Sequence, residues 1–214
     1  MKNNGIWLLP VKLILFLLIQ SFNTFILLAG YSYLHPSFST GYLNGKAQLF
    51  EGFWFPTGLF LHAFSAPFAL LIISLLVIFR IEKNPSLHRL LGKTALLLVG
   101  CLVVPSGWIL SYYAMGGVAG KFLFFLLSSY TGYAALQAYQ CARKRQFDLH
   151  KNWMHEVFAL LLSAILLRLL LVLFISFRFT GDTAYITAAI LSWIPSILLL
   201  KTIQYYRKSQ SGIN

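Results

Sequence analysis

Long apolar stretches, separated by short polar or charged segments, dominate the hydropathy pattern of this chain. A helix of about 20 apolar residues, rising about 1.5 Å per residue, crosses the roughly 30 Å hydrocarbon core of a bilayer. Six stretches approach or reach that length, which predicts an all-α, integral membrane six-helix bundle forming a single domain over residues 1–214. The predicted spans are Trp7–Leu28, Phe53–Phe79, Leu91–Tyr113, Phe122–Tyr139, Met154–Phe177 and Tyr185–Leu200.

The charged residues predict how this bundle is oriented. Hydrophobic residues make up 58% of the chain and charged residues only 10%, whereas soluble domains carry about 25% charged residues. With the N-terminus in the cytoplasm, three basic residues (Lys46, Lys121 and Arg178) fall outside and thirteen fall inside. The inner set is Lys2, Lys12, Arg80, Lys83, Arg89, Lys93, Arg143, Lys144, Arg145, Lys151, Lys201, Arg207 and Lys208.

This positive-inside bias predicts a multi-pass protein of the cytoplasmic membrane with both termini in the cytoplasm. The net charge of +12 is therefore explained by topology and by attraction to anionic lipid at the inner face, and we expect no nucleic-acid partner.

Two helix entries on the inner side share a short sequence pattern. Leu87-His88-Arg89 precedes the third span and Leu149-His150-Lys151 precedes the fifth, 62 positions later. We interpret this as a possible repeat, in which spans two–three and four–five are related hairpins around a rough two-fold axis along the membrane normal. Chance is the alternative, since leucine, histidine and basic residues are common at inner interfaces. The repeat predicts that His88 and His150 face a shared centre at one depth.

Arg168 is the only charged residue between Val157 and Phe177. A guanidinium deep in hydrocarbon costs about 2.5–3.5 kcal/mol on insertion scales, so we expect it to be buried against a partner or a polar interior. Spacing along the helix places Arg168 on the same face as His150 and in the outer half of the membrane, near the height of His62. A carboxylate ligand, a haem propionate or a purely structural role with hydroxyl and carbonyl partners would each fit it.

The remaining candidates are histidines near the inner surface. Imidazoles on facing helices hold b-type haem in helical bundles, so His88 and His150 could bind a single haem. They could instead hold a transition metal, with His155 and Glu156 as weaker candidate ligands, although helix geometry turns both of these away from the His150 face. His62 lies too deep for an interfacial role, and we expect it to be hydrogen-bonded in the interior.

One set of positions in the middle of the chain has a recognisable spacing. It comprises His62, the segments Leu87-His88-Arg89-x-x-Gly92 and His150-x-x-Trp153-Met154, and Arg168, which follows Glu156 by twelve residues. The set, covering about His62 to Val172, resembles the family called domain of unknown function 2306, which consists of bacterial membrane proteins. The resemblance implies a multi-span bundle with the histidines and the arginine as signature positions, and it implies no activity. It also implies a charge reversal, since arginine is common in the family where this chain has Glu156.

A more distant similarity is to transmembrane b-type cytochromes, whose four-helix core holds two haems through four histidines. The fourth predicted span of this chain has no histidine, so one haem is the most that the similarity implies. The leading functional hypothesis is therefore a haem- or metal-binding protein involved in redox chemistry or electron transfer.

The alternatives are a transporter of small molecules or anions with Arg168 and His62 in its path, or a non-catalytic assembly or structural protein. The chain has no Gly-x-Ser-x-Gly, phosphate-loop or His-Glu-x-x-His motif, which argues against hydrolytic chemistry, and whether it is an enzyme stays open.

Overall fold

The computed structural model of the chain describes residues 8–38, 43, 45–79, 81 and 84–210. All regular structure in these residues is helical, so the predicted all-α fold is confirmed. A 3₁₀ turn lies at Ser32–Leu34, and a π-helical segment lies at Leu98–Val103 between α4 and α5. The α-helices are α1 (Leu8–Tyr31), α2 (Ala47–Phe50), α3 (Trp54–Phe79), α4 (Pro85–Leu97), α5 (Val104–Tyr112), α6 (Gly117–Arg143), α7 (Phe147–Ser176) and α8 (Gly181–Gln210).

By length and composition, five helical segments could cross a membrane. They are Leu9–Leu34, Trp54–Phe79, Pro85–Tyr112, Phe147–Ser176 and Gly181–Gln210. Five of the six predicted spans are supported in this way. The remaining one lies in α6, which has 27 residues and is therefore about 40 Å long, but which carries more polar residues, among them Ser128, Thr131 and Gln137.

Helices α4 and α7 begin earlier than the apolar pattern predicts. Their first residues are Pro85 and Phe147, whereas the predicted spans begin at Leu91 and Met154. The difference arises because a helix can start in the interfacial region, before the hydrocarbon begins. Asn84 supplies the start signal for α4, since its side chain accepts a hydrogen bond from the Leu87 amide at 3.2 Å.

The bundle has two ends, which we name by their contents. The basic end holds the connections α3–α4 and α6–α7 and the charged residues Arg89, Lys93, Arg143 and Lys151. The far end holds the connections α5–α6 and α7–α8. Helix α3 packs against α1, α4, α5 and α7, and α7 packs against α6 and α8, so these two helices form the centre of the bundle.

Small residues let the helices approach closely in the core. Ala69, Ala134 and Ala188 have no exposed surface. On α5, Gly107 lies so close to α6 that an added Cβ would be 2.2 Å from the Ser128 hydroxyl oxygen. Contacts of this kind stabilise membrane bundles through van der Waals packing, because lipid tails remove the hydrophobic driving force between helices.

Helix type changes just before Pro105. Proline lacks the amide that would continue the α-helical hydrogen-bond ladder, so a local irregularity is expected there. The chain accommodates it with the π-helical turn at Leu98–Val103, a form that is rare and frequent at functional positions.

Candidate cofactor site and a polar cluster at the far end

Two histidines from different helices lie close together at the basic end. His88 is on α4 and His150 is on α7, and their ring centroids are 6.3 Å apart with the ring planes at 77°. Both side chains line one cavity of about 770 Å³, a volume within the range of about 300–1,000 Å³ found for cofactor pockets. The structure therefore brings these two predicted site residues together.

Each histidine occupies the same position relative to the start of its helix. His88 is the fourth residue of α4 and His150 the fourth residue of α7. Their amides donate to the carbonyls of Asn84 and Gln146, each at 2.9 Å, which closes the first turn of each helix. Arg145, in the left-handed conformation with φ of 59°, reverses the chain between α6 and α7. These local features fix where the two imidazoles enter the bundle.

A hydrogen bond orients the His150 ring. Its Nδ1 lies 2.8 Å from the Ala138 carbonyl oxygen, and a carbonyl can only accept, so Nδ1–H donates. In the neutral ring the lone pair is then on Nε2. Ligating histidines usually have their other ring nitrogen held in this way by a carbonyl or carboxylate.

The cavity has apolar walls and a positively charged rim. Its walls include small residues of α6 (Ala135, Ala138 and Ala142), which leave space beside α7. The larger apolar wall residues are Ile73, Leu76, Val77, Leu96, Val99, Met154 and Val157. Four cations line it, Arg89, Lys93, Arg143 and Lys151, and among the described residues no acidic side chain does. The cavity therefore suits a flat or elongated apolar molecule that carries negative charge at one edge.

His155 and Glu156 have separate environments. His155 lines the same cavity as His150, although the two residues lie on different faces of α7. The cavity is wide enough to border two faces of α7, so it is lined by residues that are five positions apart in the helix. Glu156 lies on the other side of α7 and is 1% exposed.

The Glu156 carboxylate has partners on two neighbouring helices. Its Oε2 accepts from the Tyr130 hydroxyl at 2.6 Å, and its Oε1 lies 2.8 Å from Lys201 Nζ. Lys201 Nζ also lies 4.2 Å from the centre of the Trp153 ring. The resulting cluster joins α6, α7 and α8, which gives the buried carboxylate a structural role.

Metal ligation by protein groups alone has little support here. Within the part of the chain that the structure describes, no three His, Cys, Asp or Glu side chains are close enough to hold a metal ion. The two cysteines are separate, with Cys101 exposed and Cys141 buried. The histidine pair is thus a two-ligand arrangement among these residue types, and a cofactor that brings its own donors would complete the coordination of a metal.

Arg168 lies far from this cavity. It is eighteen residues beyond His150 on α7, which is about 27 Å along the helix. The prediction that Arg168 is buried is wrong: its side chain is exposed on the surface of the bundle. The reason is its position on α7, beside the exposed Leu166 and Leu169. Arg168 therefore cannot serve a cofactor bound between His88 and His150.

His62 lies in the half of the bundle nearer the far end. Its Nδ1 lies 3.2 Å from the Val103 carbonyl oxygen and 3.1 Å from the Ser106 hydroxyl. The ring thus binds the last residue of the π-helical segment and the first turn of α5. His62 is hydrogen-bonded in the interior, as its depth predicted.

Polar groups from three other elements lie within electrostatic range of Arg168. These are His62 on α3, Tyr33 in the 3₁₀ turn and Tyr185 on α8. We call Arg168 and these three residues the arginine cluster. Sequence analysis found Arg168 and His62 but missed both tyrosines, because nothing in the spacing of one chain shows which helices are neighbours.

The comparisons with known proteins place the chain in a family. No curated protein and no solved structure matches it, so the similarity to b-type cytochromes stays a prediction. Residues 59–203, about two thirds of the chain, match the family of predicted membrane proteins known as DUF2306. This segment contains His62, His88, His150 and Arg168, and the chain belongs to the DUF2306 family of membrane proteins.

Proposed function

We propose that the cavity at the basic end holds a single b-type haem, with His88 and His150 as axial ligands. The observation that carries the proposal is the 6.3 Å separation of the two ring centroids in one cavity. A metal midway between two imidazole nitrogens, each bonded at about 2.0–2.1 Å, separates the ring centroids by about 6 Å. The pair therefore needs little movement to ligate.

The donor set favours haem over a metal ion bound by protein alone. A porphyrin supplies four nitrogen donors, so two protein ligands complete the coordination. The apolar walls suit the macrocycle, and the four rim cations suit its two propionates. When bound, a haem with two histidine ligands supplies one-electron transfer. The protein would hold the ring, orient His150 through Ala138 and exclude water.

We further propose six spans, with the basic end and both termini in the cytoplasm. The rim cations belong to the inner set in the sequence, and α6, packed between α5, α7 and α8, is long enough to cross. The equal positions of His88 and His150 in their helices support the two-fold repeat of the hairpins. An accessibility assay with cysteine variants at Lys151 and Lys121, labelled from one side of the membrane, tests the orientation.

The haem proposal is tested by the visible spectrum of protein purified after expression with added haem precursor. We expect a Soret band, sharpened α and β bands on reduction, and about one haem per chain by pyridine haemochrome. A cooperative thermal unfolding transition together with the absence of a Soret band, even after incubation with hemin, would overturn the haem proposal.

A further inference from the structure

Two of the four cations on the cavity rim are arginines whose directions are fixed by hydrogen bonds. Arg89 is on α4 and Arg143 is the last residue of α6, and both line the cavity. The Nε of Arg89 donates to the Pro85 carbonyl at 3.2 Å. The Nη1 of Arg143 donates to the Tyr139 hydroxyl at 3.1 Å, and Arg143 Cζ lies 5.9 Å from the centre of the Tyr139 ring. Each guanidinium is therefore held by a residue four positions earlier in its own helix.

Both guanidinium groups keep donors that the protein does not use. A guanidinium has five N–H groups in one plane, and in each arginine one of them is bonded to a protein acceptor. In the described part of the chain, neither arginine forms an ion pair. Both side chains are exposed at the rim. Each arginine can thus offer further N–H groups to a carboxylate, which arginine binds with defined geometry and lysine binds only as a point charge.

The two guanidinium groups lie on the basic-end side of the histidine pair. Ala138, whose carbonyl orients His150, precedes Arg143 by five residues, which is about 7.5 Å along α6. Arg89 follows His88 directly, but its hydrogen bond directs the guanidinium one turn back towards the start of α4. Deeper along α6 the cavity face consists of alanines, so the arginines mark the polar edge of the cavity.

The two arginines reach the cavity from different helices. Helix α4 packs mainly against α3 and the π-helical segment, whereas α6 packs against α5, α7 and α8. Helices α4 and α6 make few contacts with each other, and residues of both line the cavity. A ligand that fills the cavity therefore meets one arginine on α4 and another on α6.

We infer that Arg89 and Arg143 each bind one carboxylate of the bound tetrapyrrole, so that the site selects a haem with two free propionates. This inference rests on the proposed haem function and identifies the residues that orient the ring in the cavity. The propionates face the basic end, and the apolar part of the ring occupies the apolar depth of the cavity. Tyr139 is a positioning residue that acts through Arg143, whose guanidinium it holds.

The test compares hemin with hemin dimethyl ester, in which both carboxylates are esterified and uncharged. Each compound is titrated into the full-length protein in phosphatidylcholine nanodiscs, which contain no anionic lipid to compete for the arginines. The Soret shift, corrected for empty nanodiscs, gives the dissociation constant. Arg89→Gln and Arg143→Gln should each weaken hemin binding about tenfold, and Tyr139→Phe about threefold. The ester should bind the wild type more weakly than hemin and lose no further affinity in these variants.

Arg145→Asn is the matched control for loss of a positive charge at the basic end. Arg145 lies between α6 and α7 and does not line the cavity. Its φ of 59° is a conformation that asparagine tolerates. Because an exposed charge outside the site is screened by salt, Arg145→Asn should change hemin affinity by less than about twofold.

Unchanged hemin affinity in Arg89→Gln and Arg143→Gln would overturn the inference and leave the haem proposal standing. An equal loss in Arg145→Asn would also overturn it, because the basic end would then attract the anion without a defined site. So would equal losses for hemin and its ester in the two cavity variants, since the arginines would then support the cavity and not the carboxylates. Failure of the wild type to bind either compound would overturn the haem proposal itself.

Discussion

The helices pack differently at the two ends of the bundle, leaving a cavity at the basic end and lying in close contact towards the far end. At the basic end, alanines on α6 face α4 and α7 across open space, and two imidazoles project into it. Towards the far end, Gly107 brings α5 against α6, and His62 is bonded to Val103 and Ser106. Small residues thus leave a cavity in one place, where they are alanines, and allow close contact in the other, where the residue is a glycine.

The difference shows that the polar residues of a membrane bundle need not belong to one site. His88 and His150 lie in a cavity large enough for a cofactor, whereas the polar atoms of His62 are used to join helices. Arg168 lies in the same half of the bundle as His62, but its side chain is exposed beside the lipid-facing residues of α7. The four candidate residues therefore divide into two separate regions about 27 Å apart along α7.

The largest expected effect concerns the histidine pair. His88→Ala or His150→Ala should lower haem content from about one per chain to near zero, because only one imidazole of the facing pair is left to bind the iron. His155→Ala, in the same cavity wall, should retain haem, as should His62→Ala at the other site. Pyridine haemochrome assays of the four variants measure this. Loss of haem in His62→Ala with the pair intact would contradict the division into two regions.

The Glu156 cluster should respond unequally to loss of its two charges. Lys201→Met leaves a carboxylate that is 1% exposed without its cation, and breaking a buried pair in this way costs about 3–5 kcal/mol. Glu156→Gln leaves Lys201, which is 43% exposed, able to reach solvent, and the amide oxygen can still accept from Tyr130. We expect a loss of about 1 kcal/mol there.

Thermal unfolding in detergent measures this difference, at about 2–4 °C per kcal/mol for a chain of this size. Tyr130→Phe should fall between the two variants. If Glu156→Gln lowered the unfolding temperature as much as Lys201→Met or more, the unpaired Lys201 cation, and not the unpaired Glu156 carboxylate, would be the more costly group to bury.

Two glycines test the packing contrast directly. A Cβ at Gly107 would lie 2.2 Å from Ser128 Oγ, whereas one at Gly92, in the cavity wall, has no atom within 4 Å. Gly107→Ala should therefore destabilise by about 1–3 kcal/mol. Gly92→Ala should stabilise by up to about 1 kcal/mol, because alanine favours helix. Ser128→Ala should partly rescue Gly107→Ala in the double variant, and its failure to do so would place the strain elsewhere.

The smallest effect concerns Lys46, in the segment that packs on the far end. Burial lowers the pKa of Lys46 to about 8 from its usual 10.5. Between pH 8 and pH 10.5 the Lys46 amine keeps its proton in the unfolded chain but has lost it in the folded chain. The desolvation cost of the charged amine is therefore fully present below pH 8 and is relieved as pH rises from 8 to 10.5. Lys46→Met should therefore protect this segment at pH 7 and have little effect at pH 10.5. Hydrogen exchange of the Leu49 and Phe50 amides measures the difference, and equal protection at both pH values would contradict it.

Much of the fold follows from the sequence because the bilayer restricts it so strongly. Apolar length identifies the helices, and the Leu-His-basic pattern identified both residues of the cavity pair. The identity of neighbouring helices could not be deduced in the same way. Lys201 as the partner of Glu156, and Tyr130 as its hydrogen-bond donor, depend on contacts between different helices, for which spacing along one helix carries no signal.

The exposure of Arg168 shows a second limit. We expected Arg168 to be buried because a guanidinium in hydrocarbon is costly. That cost implies that the group needs a partner, but it does not tell on which side of the helix the partner lies. That His155 borders the same cavity as His150 could not be deduced for a related reason, because a rotation angle gives the direction of a side chain but not the width of the space beside it.

Because of the π-helical segment at Leu98–Val103, the two halves of the third span direct their polar side chains to different neighbouring helices. His88 and Ser106 are eighteen residues apart, and in an unbroken α-helix at about 100° per residue they would share one face. The wider π-helical turn rotates α5 relative to α4 by about one residue. The His88 imidazole on α4 therefore faces α7, whereas the Ser106 hydroxyl on α5 faces α3. Removing a single residue from that turn would place His88 and Ser106 on the same side of the span. Either the contact of His88 with α7 or the contact of Ser106 with α3 would then be lost.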